Sequence, residues 1–286
     1  MGSLKETDKL IYIYGKNTIE LGAFSLFKVT DFSEKIDNNL TNTKAIGQDG
    51  VTCLSSSLDS RFITIKGLIS MRNEYEELER KMRICFNPKQ DSFNSGKLIY
   101  RGVGFEKEIE AIPLSMVYFD RKLGVSWFKI ELQATNPYWG LKDQVEVLAE
   151  LTPKLYFNMQ FASPVIFANS KSMKIGEIVN KGDVPAGFRA KFKCRDGTVK
   201  NVQIENKITG DLIKINVDMV KGDVLEIIST PTYKNVLLNN IKSFSKLDRK
   251  ISNFFYLDVG KNTLSYDADI NYSNLDVSIL YSPLFL

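Results

Sequence analysis

Residues 188–281 are written in a period of two, and that period constrains the fold of the chain more than any other feature. In FRAKFKC, Phe188, Ala190, Phe192 and Cys194 share one side while Arg189, Lys191 and Lys193 share the other. LIKINVDM sets apart Ile213, Ile215, Val217 and Met219 in the same way, and LDVSILY sets apart Leu275, Val277, Ile279 and Tyr281. LSYDADINY does so with Leu264, Tyr266, Ala268, Ile270 and Tyr272. Successive strand residues point to opposite faces, so these runs read as strands with one side on a core and the other in water. Turn-forming clusters separate them: RDG at 195–197, TGD at 209–211, KGD at 221–223 and VGKN at 259–262. Short strands with a turn at about ten-residue intervals predict an antiparallel sandwich or jelly roll. KGDV stands at 181–184 and again at 221–224, but Pro185 follows the first copy and Leu225 and Glu226 follow the second. It is turn chemistry used twice, with Gly supplying a permissive backbone and Asp favouring the turn.

The first half mixes strands with one helix. LIYIYG (Leu10–Gly15) and RFITIKGLI (Arg61–Ile69) alternate, and further strands are predicted at Lys97–Arg101, Lys107–Leu114 and Val125–Ala134. The stretch from Ser33 to Ser57 is rich in Asn, Thr, Ser and Gly and reads as a long excursion, the kind of segment that often serves as an interaction arm. Arg72–Phe86 reads as an amphipathic helix with Tyr75, Leu78, Met82 and Cys85 on one stripe, while Glu74, Glu76, Glu77, Glu79, Arg80 and Lys81 fall largely outside it as a solvated face. Pro88 stops it. On the strand Val125–Ala134, Phe128, Ile130, Leu132 and Ala134 face one way. Trp127 falls on the polar face, where it is either covered by a neighbouring element or free for a partner chain. TNPYWG (Thr135–Gly140) ends that strand. Tyr138 and Trp139 suit a sugar-stacking platform or a turn whose rings wedge between two domains. The lack of further aromatics and carboxylates nearby in sequence favours the wedge. A polar bridge from Lys142 to Lys154 follows, so the domains are read as 1–140 and 141–286.

The composition narrows the chemistry. The chain has 286 residues, 43% hydrophobic and 25% charged, which suits folded domains. It contains no histidine, which removes Ser–His–Asp and Cys–His catalysis and zinc–histidine sites. The three cysteines, Cys53, Cys85 and Cys194, form no CxxC pair, so neither a disulfide framework nor a zinc site is indicated. DADIN (Asp267–Asn271) opens like a calcium loop, but Tyr272 stands where the loop requires glycine. No catalytic residue, metal or cofactor is therefore expected. The net charge of +4 comes from scattered lysines and makes no case for specific nucleic-acid binding. No apolar run approaches the roughly 20 residues of a membrane span. The opening MGSLKETDKL lacks the apolar core expected of a secretory signal, and the three scattered cysteines lead to the expectation of synthesis in a reducing cytoplasm.

Three stretches carry a family resemblance. NKGDVPAGFRAKF at 180–192 places Asn180, Gly182, Asp183 and Pro185 in an Asn-x-Gly-Asp-x-Pro strand entry. IENKITGD at 204–211 forms an Asn-x-x-Thr-Gly hairpin, and FFYLDVGKNTLSYD at 254–267 places Phe254, Phe255, Leu257, Gly260 and Asn262 in a late strand pair. In this order, after an α+β unit and TNPYWG, they make the chain from about residue 8 to 286 resemble the distal tail protein family of long-tailed bacteriophages, which also occurs in phage-tail-like bacteriocins. The resemblance implies a mainly β chain, with an N-terminal α+β tail-tube-like domain followed by a galectin-like antiparallel β-sandwich. It implies a structural part of a virion tail: a ring, usually of six copies, that joins the tail tube protein to a tail-tip or hub protein and leaves a channel through which DNA passes without specific binding. The outer sandwich would anchor receptor-binding or baseplate proteins. A ring needs a heterologous contact, for which Trp127 and the 33–57 arm are the candidates. The alternative is a carbohydrate-binding adhesin, disfavoured because the second half has no tryptophan.

Overall fold

The computed structural model describes residue 5 and residues 7–70, 74–89, 95–122, 124–141, 144–153, 168–172 and 175–286. The chain divides into two compact units, Met1–Lys142 and Asp143–Phe285.

Unit 1 contains β1 (Lys9–Tyr14), β2 (Asn17–Gly22), β3 (Phe27–Thr43), β4 (Thr52–Ile69), α1 (Tyr75–Cys85), β5 (Gly96–Gly102), β6 (Phe105–Pro113), β7 (Tyr118–Lys122), β8 (Val125–Ala134) and β9 (Trp139–Leu141). The strands form one sheet in the order β9-β6-β5-β1-β2-β3-β4-β8-β7, and an extra pairing of β6 with β8 closes the strands between them into a barrel. Its interior is filled by alternate residues, among them Leu10, Tyr12, Ile63, Ile65, Phe128, Ile130 and Leu132, all buried. α1 packs on β1 and β2 through Leu78, Met82 and Cys85, and Phe86 just beyond it stacks on Tyr12 with ring centroids 4.3 Å apart. The Tyr12 hydroxyl donates to the Ala111 carbonyl at 3.0 Å, so the one polar atom of this buried ring is satisfied. The helix begins at Tyr75; the predicted first residues Arg72 and Asn73 lie outside the described residues.

The stretch read as a polar excursion is not a loop. β3 and β4 pair along their length, from Phe27↔Ile69 to Thr43↔Thr52, whereas β8 pairs with β4 only over Arg61–Ile69. Residues 38–58 therefore project from the barrel as a two-stranded arm, exposed on both faces apart from the half-buried Gln48 at its tip.

Unit 2 contains β10 (Gln144–Pro153), β11 (Ala168–Ser172), β12 (Ile175–Asn180), β13 (Phe188–Cys194), β14 (Thr198–Asn206), β15 (Leu212–Val220), β16 (Val224–Ser229), β17 (Lys234–Leu238), β18 (Ile241–Lys242), β19 (Gly260–Ile270) and β20 (Leu275–Tyr281). The bridge read at Lys142–Lys154 is thus largely strand β10, with Lys142, Asp143 and Lys154 outside the described residues. Two antiparallel sheets, β11-β10-β20-β13-β16-β17-β18 and β12-β19-β14-β15, enclose one core. Phe188, Ala190, Phe192, Cys194, Ile213, Ile215, Val217, Met219, Leu275, Val277, Ile279 and Tyr281 all lie in it, as the alternation predicts. Ile270 is the exception: β19 ends there and the side chain is exposed. The glycines of the four turn clusters, Gly197, Gly210, Gly222 and Gly260, all take φ between 62° and 92°, where a Cβ is disfavoured.

The two KGDV copies differ in mechanism. Gly222 turns with φ at 92°, and the Asp223 carboxylate accepts the Val220 N–H at 2.9 Å. Gly182 instead lets another chain segment come close, since a Cβ there would lie 2.4 Å from the Leu284 carbonyl oxygen.

Candidate interaction surfaces

Charged groups buried in unit 1 are committed to the fold. Glu79, placed by its sequence on the solvated face of α1, is only 3% exposed. Its Oε1 accepts from Arg121 Nε at 3.0 Å and Ser126 Oγ at 2.8 Å, and Oε2 accepts from Arg83 at 3.3 Å. The i,i+4 spacing to Arg83 was the one local signal of this node; Arg121 and Ser126 come from β7 and β8. Burial alone would raise the Glu79 pKa, but the hydrogen bonds from Arg121 and Ser126, with the charges of Arg121 and Arg83, outweigh it and hold the carboxyl below the usual glutamate range. A carboxylate depressed in the folded state adds stability that is present above its unfolded pKa and lost as pH falls through the folded value. Unit 1 should therefore melt progressively lower as pH drops below about 4.5, and Glu79→Gln should flatten that limb of a melting-temperature profile.

Arg61 forms the second node. Its Nε donates to the Pro137 carbonyl at 2.6 Å and its Nη1 pairs with Glu34. Glu34 Oε2 also accepts the Trp139 indole N–H at 3.2 Å. Trp139 is buried, with Tyr100 at 6.3 Å between ring centroids. Its indole thus has its hydrogen-bond partner inside unit 1. Tyr138 is half-exposed, and its N–H bonds the Asn136 side chain at 3.2 Å.

Trp127 stands on the outer face of the barrel, 42% exposed. It lies opposite Leu68 on β4 and Asp120 on β7. Tyr118, which pairs with Lys129, is its diagonal neighbour and is 64% exposed. Ion pairs rim this aromatic centre: Lys129–Glu131 at 2.6 Å, Lys122–Asp120 at 2.5 Å and Lys66–Asp31 at 3.0 Å. β7 is the last strand of the sheet, so among the described residues its outer edge leaves backbone groups without a strand partner. Two exposed rings inside a charged rim, beside an open edge, match the layout of a protein interface.

The arm is a second uncovered surface. Leu40 pairs with Ser56, so Leu58 is its diagonal neighbour on one face, Leu54 stands at the register shift between Ser55 and Cys53, and all three leucines are exposed. Asn39, Thr41, Ser55 and Ser57 make the other face. An isolated two-stranded hairpin is marginal in water at best. Because Leu40 and Leu54 are at least half exposed and stand outside the barrel core, Leu40→Ser with Leu54→Ser should lower the stability of the single chain by no more than about 1 kcal/mol. A chemical denaturation curve reads this directly.

In unit 2 the motif residues act as backbone staples. Asn180, fully buried, donates to the carbonyls of Val184 and Leu257 at 3.0 Å each and accepts the Gly182 N–H. Asn262, also buried, donates to the carbonyls of Asp258 and Gly260 and accepts the Asp258 N–H. Asn206 accepts the Ile208 N–H, shaping the hairpin closed by Gly210. Loss of one such amide leaves several buried groups unpaired, so Asn180→Ala should cost about 2–4 kcal/mol in a denaturant titration of the sandwich. Asp269 of DADIN is an ion-pair partner, taking Lys214 Nζ at 2.9 Å and Asn201 at 2.8 Å. Among the described residues no group of three or more His, Cys, Asp or Glu side chains is placed to hold a metal ion.

The family described as siphovirus-type tail component, C-terminal domain, matches residues 181–285. No curated protein matches the chain by sequence. Among solved structures, the Dit protein of phage SPP1, described as a paradigm of the hub adsorption apparatus in phages infecting Gram-positive bacteria, aligns with a TM-score of 0.68 at 10% identity, covering 97% of this chain and 99% of that one. A chain of the phage P2 baseplate in its activated conformation with Ca aligns with a TM-score of 0.49 at 11% identity, covering 96% of this chain and 97% of that one. Residues 181–285 thus match the siphovirus-type tail component C-terminal domain, and the chain shares the fold of the SPP1 Dit protein.

Proposed function

We propose that this chain is the structural hub of a phage-type tail: a ring of six copies that joins the tail tube to the tail tip or baseplate and leaves a channel for DNA. The observation that carries the reading is end-to-end agreement in fold with one hub protein, together with an independent family match confined to residues 181–285. The buried charges fit a structural part, since Glu79 and Arg61 are held in ion pairs that fix the barrel. Ring closure uses a heterologous contact, with one patch meeting a different patch on the neighbour. The Trp127–Tyr118 surface and the arm are two such patches, set apart along β4, since the arm leaves that strand before Arg61 and Trp127 stands opposite Leu68. The sandwich serves as the outward anchor for receptor-binding or baseplate proteins, and the particle tail is the site of action. Among the described residues no helix is long and apolar enough to cross a membrane.

The test is genetic and visual. Particles assembled without this chain should show tails that end in a bare tube, without the tip structure and without adsorption. Complete tips in its absence would refute the reading.

A further inference from the structure

The helix α1 carries two stripes, and only one of them faces a hydrophobic core. Leu78, Met82 and Cys85 are the apolar stripe that packs on β1 and β2. Tyr75, Glu79 and Arg83 stand at i, i+4 and i+8, so they line a second stripe beside the first. All three reach the β7–β8 hairpin. The Tyr75 hydroxyl donates to the Gly124 carbonyl at 2.9 Å. Glu79 Oε1 accepts from Arg121 Nε on β7 and from Ser126 Oγ on β8. The Arg83 guanidinium lies 4.8 Å over the Phe119 ring of β7, and its Nη2 donates to Glu79 Oε2.

β7 has little else to hold it. None of its five residues is buried, and among the described residues it pairs with β8 alone. Val117, just before it, is buried and anchors one end of the strand in the barrel. The other end, Arg121 and Lys122, is exposed. Pairing with β8 sorts the strand into two faces. Phe119 stands opposite Phe128 and Arg121 opposite Ser126, on the side that meets α1. Tyr118 and Asp120 stand on the outer side with Lys129 and Trp127. The polar stripe of α1 therefore grips the strand from behind the face that displays Tyr118 and Trp127.

We propose that Glu79 is a positioning residue for assembly: it latches the far end of β7 to α1 and thereby holds Tyr118 beside Trp127 in the outward contact surface. Glu79 is the buried member of the stripe and the one that joins helix, β7 and β8 at a single carboxylate. With an amide in its place, Arg121 keeps at most a neutral hydrogen bond, and its half-exposed side chain turns to water. The strand end then opens locally while the barrel core stays closed. The inference rests on the reading of the Trp127–Tyr118 surface as a subunit contact, and adds what sets the shape of that surface.

The experiment is hydrogen–deuterium exchange of the full chain, resolved by strand, in wild type, Glu79→Gln and Tyr75→Phe, with sedimentation of the same samples. In Glu79→Gln the β7 amides bonded to β8 should exchange at least about tenfold faster, because charge-assisted hydrogen bonds are lost. The amides joining β4 to β8 should keep their wild-type rates, and assembly should weaken by about tenfold or more although Trp127 and Tyr118 are unchanged. Tyr75→Phe removes one contact at the start of the helix and leaves the buried charge in place. It should speed the same β7 amides about threefold, and it serves if Glu79→Gln fails to fold. Unchanged β7 exchange in both variants would overturn the latch. So would acceleration spread equally over β4 and β8, the mark of a merely general loss of stability. Faster β7 exchange with undiminished assembly would overturn the positioning role. A wild-type chain that stays monomeric would count against the contact reading instead, and β7 exchange would then decide the latch by itself.

Discussion

Gly67→Ala is expected to lower the melting temperature of unit 1 by on the order of 10 °C. Gly67 sits in β4 opposite Phe128 of β8, at the point where Lys28 of β3 passes on the other side. A Cβ built there would lie 2.1 Å from the Lys28 carbonyl oxygen and 2.4 Å from the Phe128 ring. The first of these is backbone in the middle of a paired sheet and cannot turn aside. Overpacking of this kind costs about 3 kcal/mol or more. Gly104→Ala is the control: its φ is 81° but nothing lies within 4 Å of the added carbon, so only about 1 kcal/mol of backbone strain is expected. A thermal scan of the two variants checks the contrast. Equal, small shifts would show that β3 and β4 do not approach as described.

Trp127→Glu should cost the single chain about 1–2 kcal/mol, leave it folded, and yet dissolve its assembly. Trp127 is 42% exposed, so part of its packing within the protomer is lost while the exposed part is free for a neighbour. At the centre of an interface, a tryptophan is worth about 2–4 kcal/mol, and an unpaired carboxylate in its place adds a desolvation cost. Each contact around the ring would weaken by roughly 30-fold or more, and closure multiplies the loss. Sedimentation of the variant beside the wild type measures it, with intact rings at equal concentration as the contrary outcome. Arm variants with Leu40→Ser and Leu54→Ser test whether the arm belongs to the same contact.

The sandwich was legible in the sequence because each strand there has one dry and one wet face. Alternation in β13, β15 and β20 therefore names the buried side residue by residue. The arm was not legible, for the same physical reason reversed. Both its faces are in water, so Asn38–Leu58 carries no period, and strand formation there rests on cross-strand pairing alone. Glu79 was misplaced because its partners Arg121 and Ser126 arrive from strands more than forty residues away. The indole of Trp139 is fixed by Glu34 across 105 residues, a distance at which no local pattern informs. The exposure of Trp127 was left open by its sequence, because a polar strand face does not say whether another element lies over it.

The measurement that bears most directly on the account is the native mass of the purified protein over a concentration series, with negative-stain images of the main species. The account predicts a discrete assembly of six 32.5 kDa chains around a central hole, lost in Trp127→Glu. A strictly monomeric chain at every concentration, with the variant indistinguishable from wild type, would contradict it.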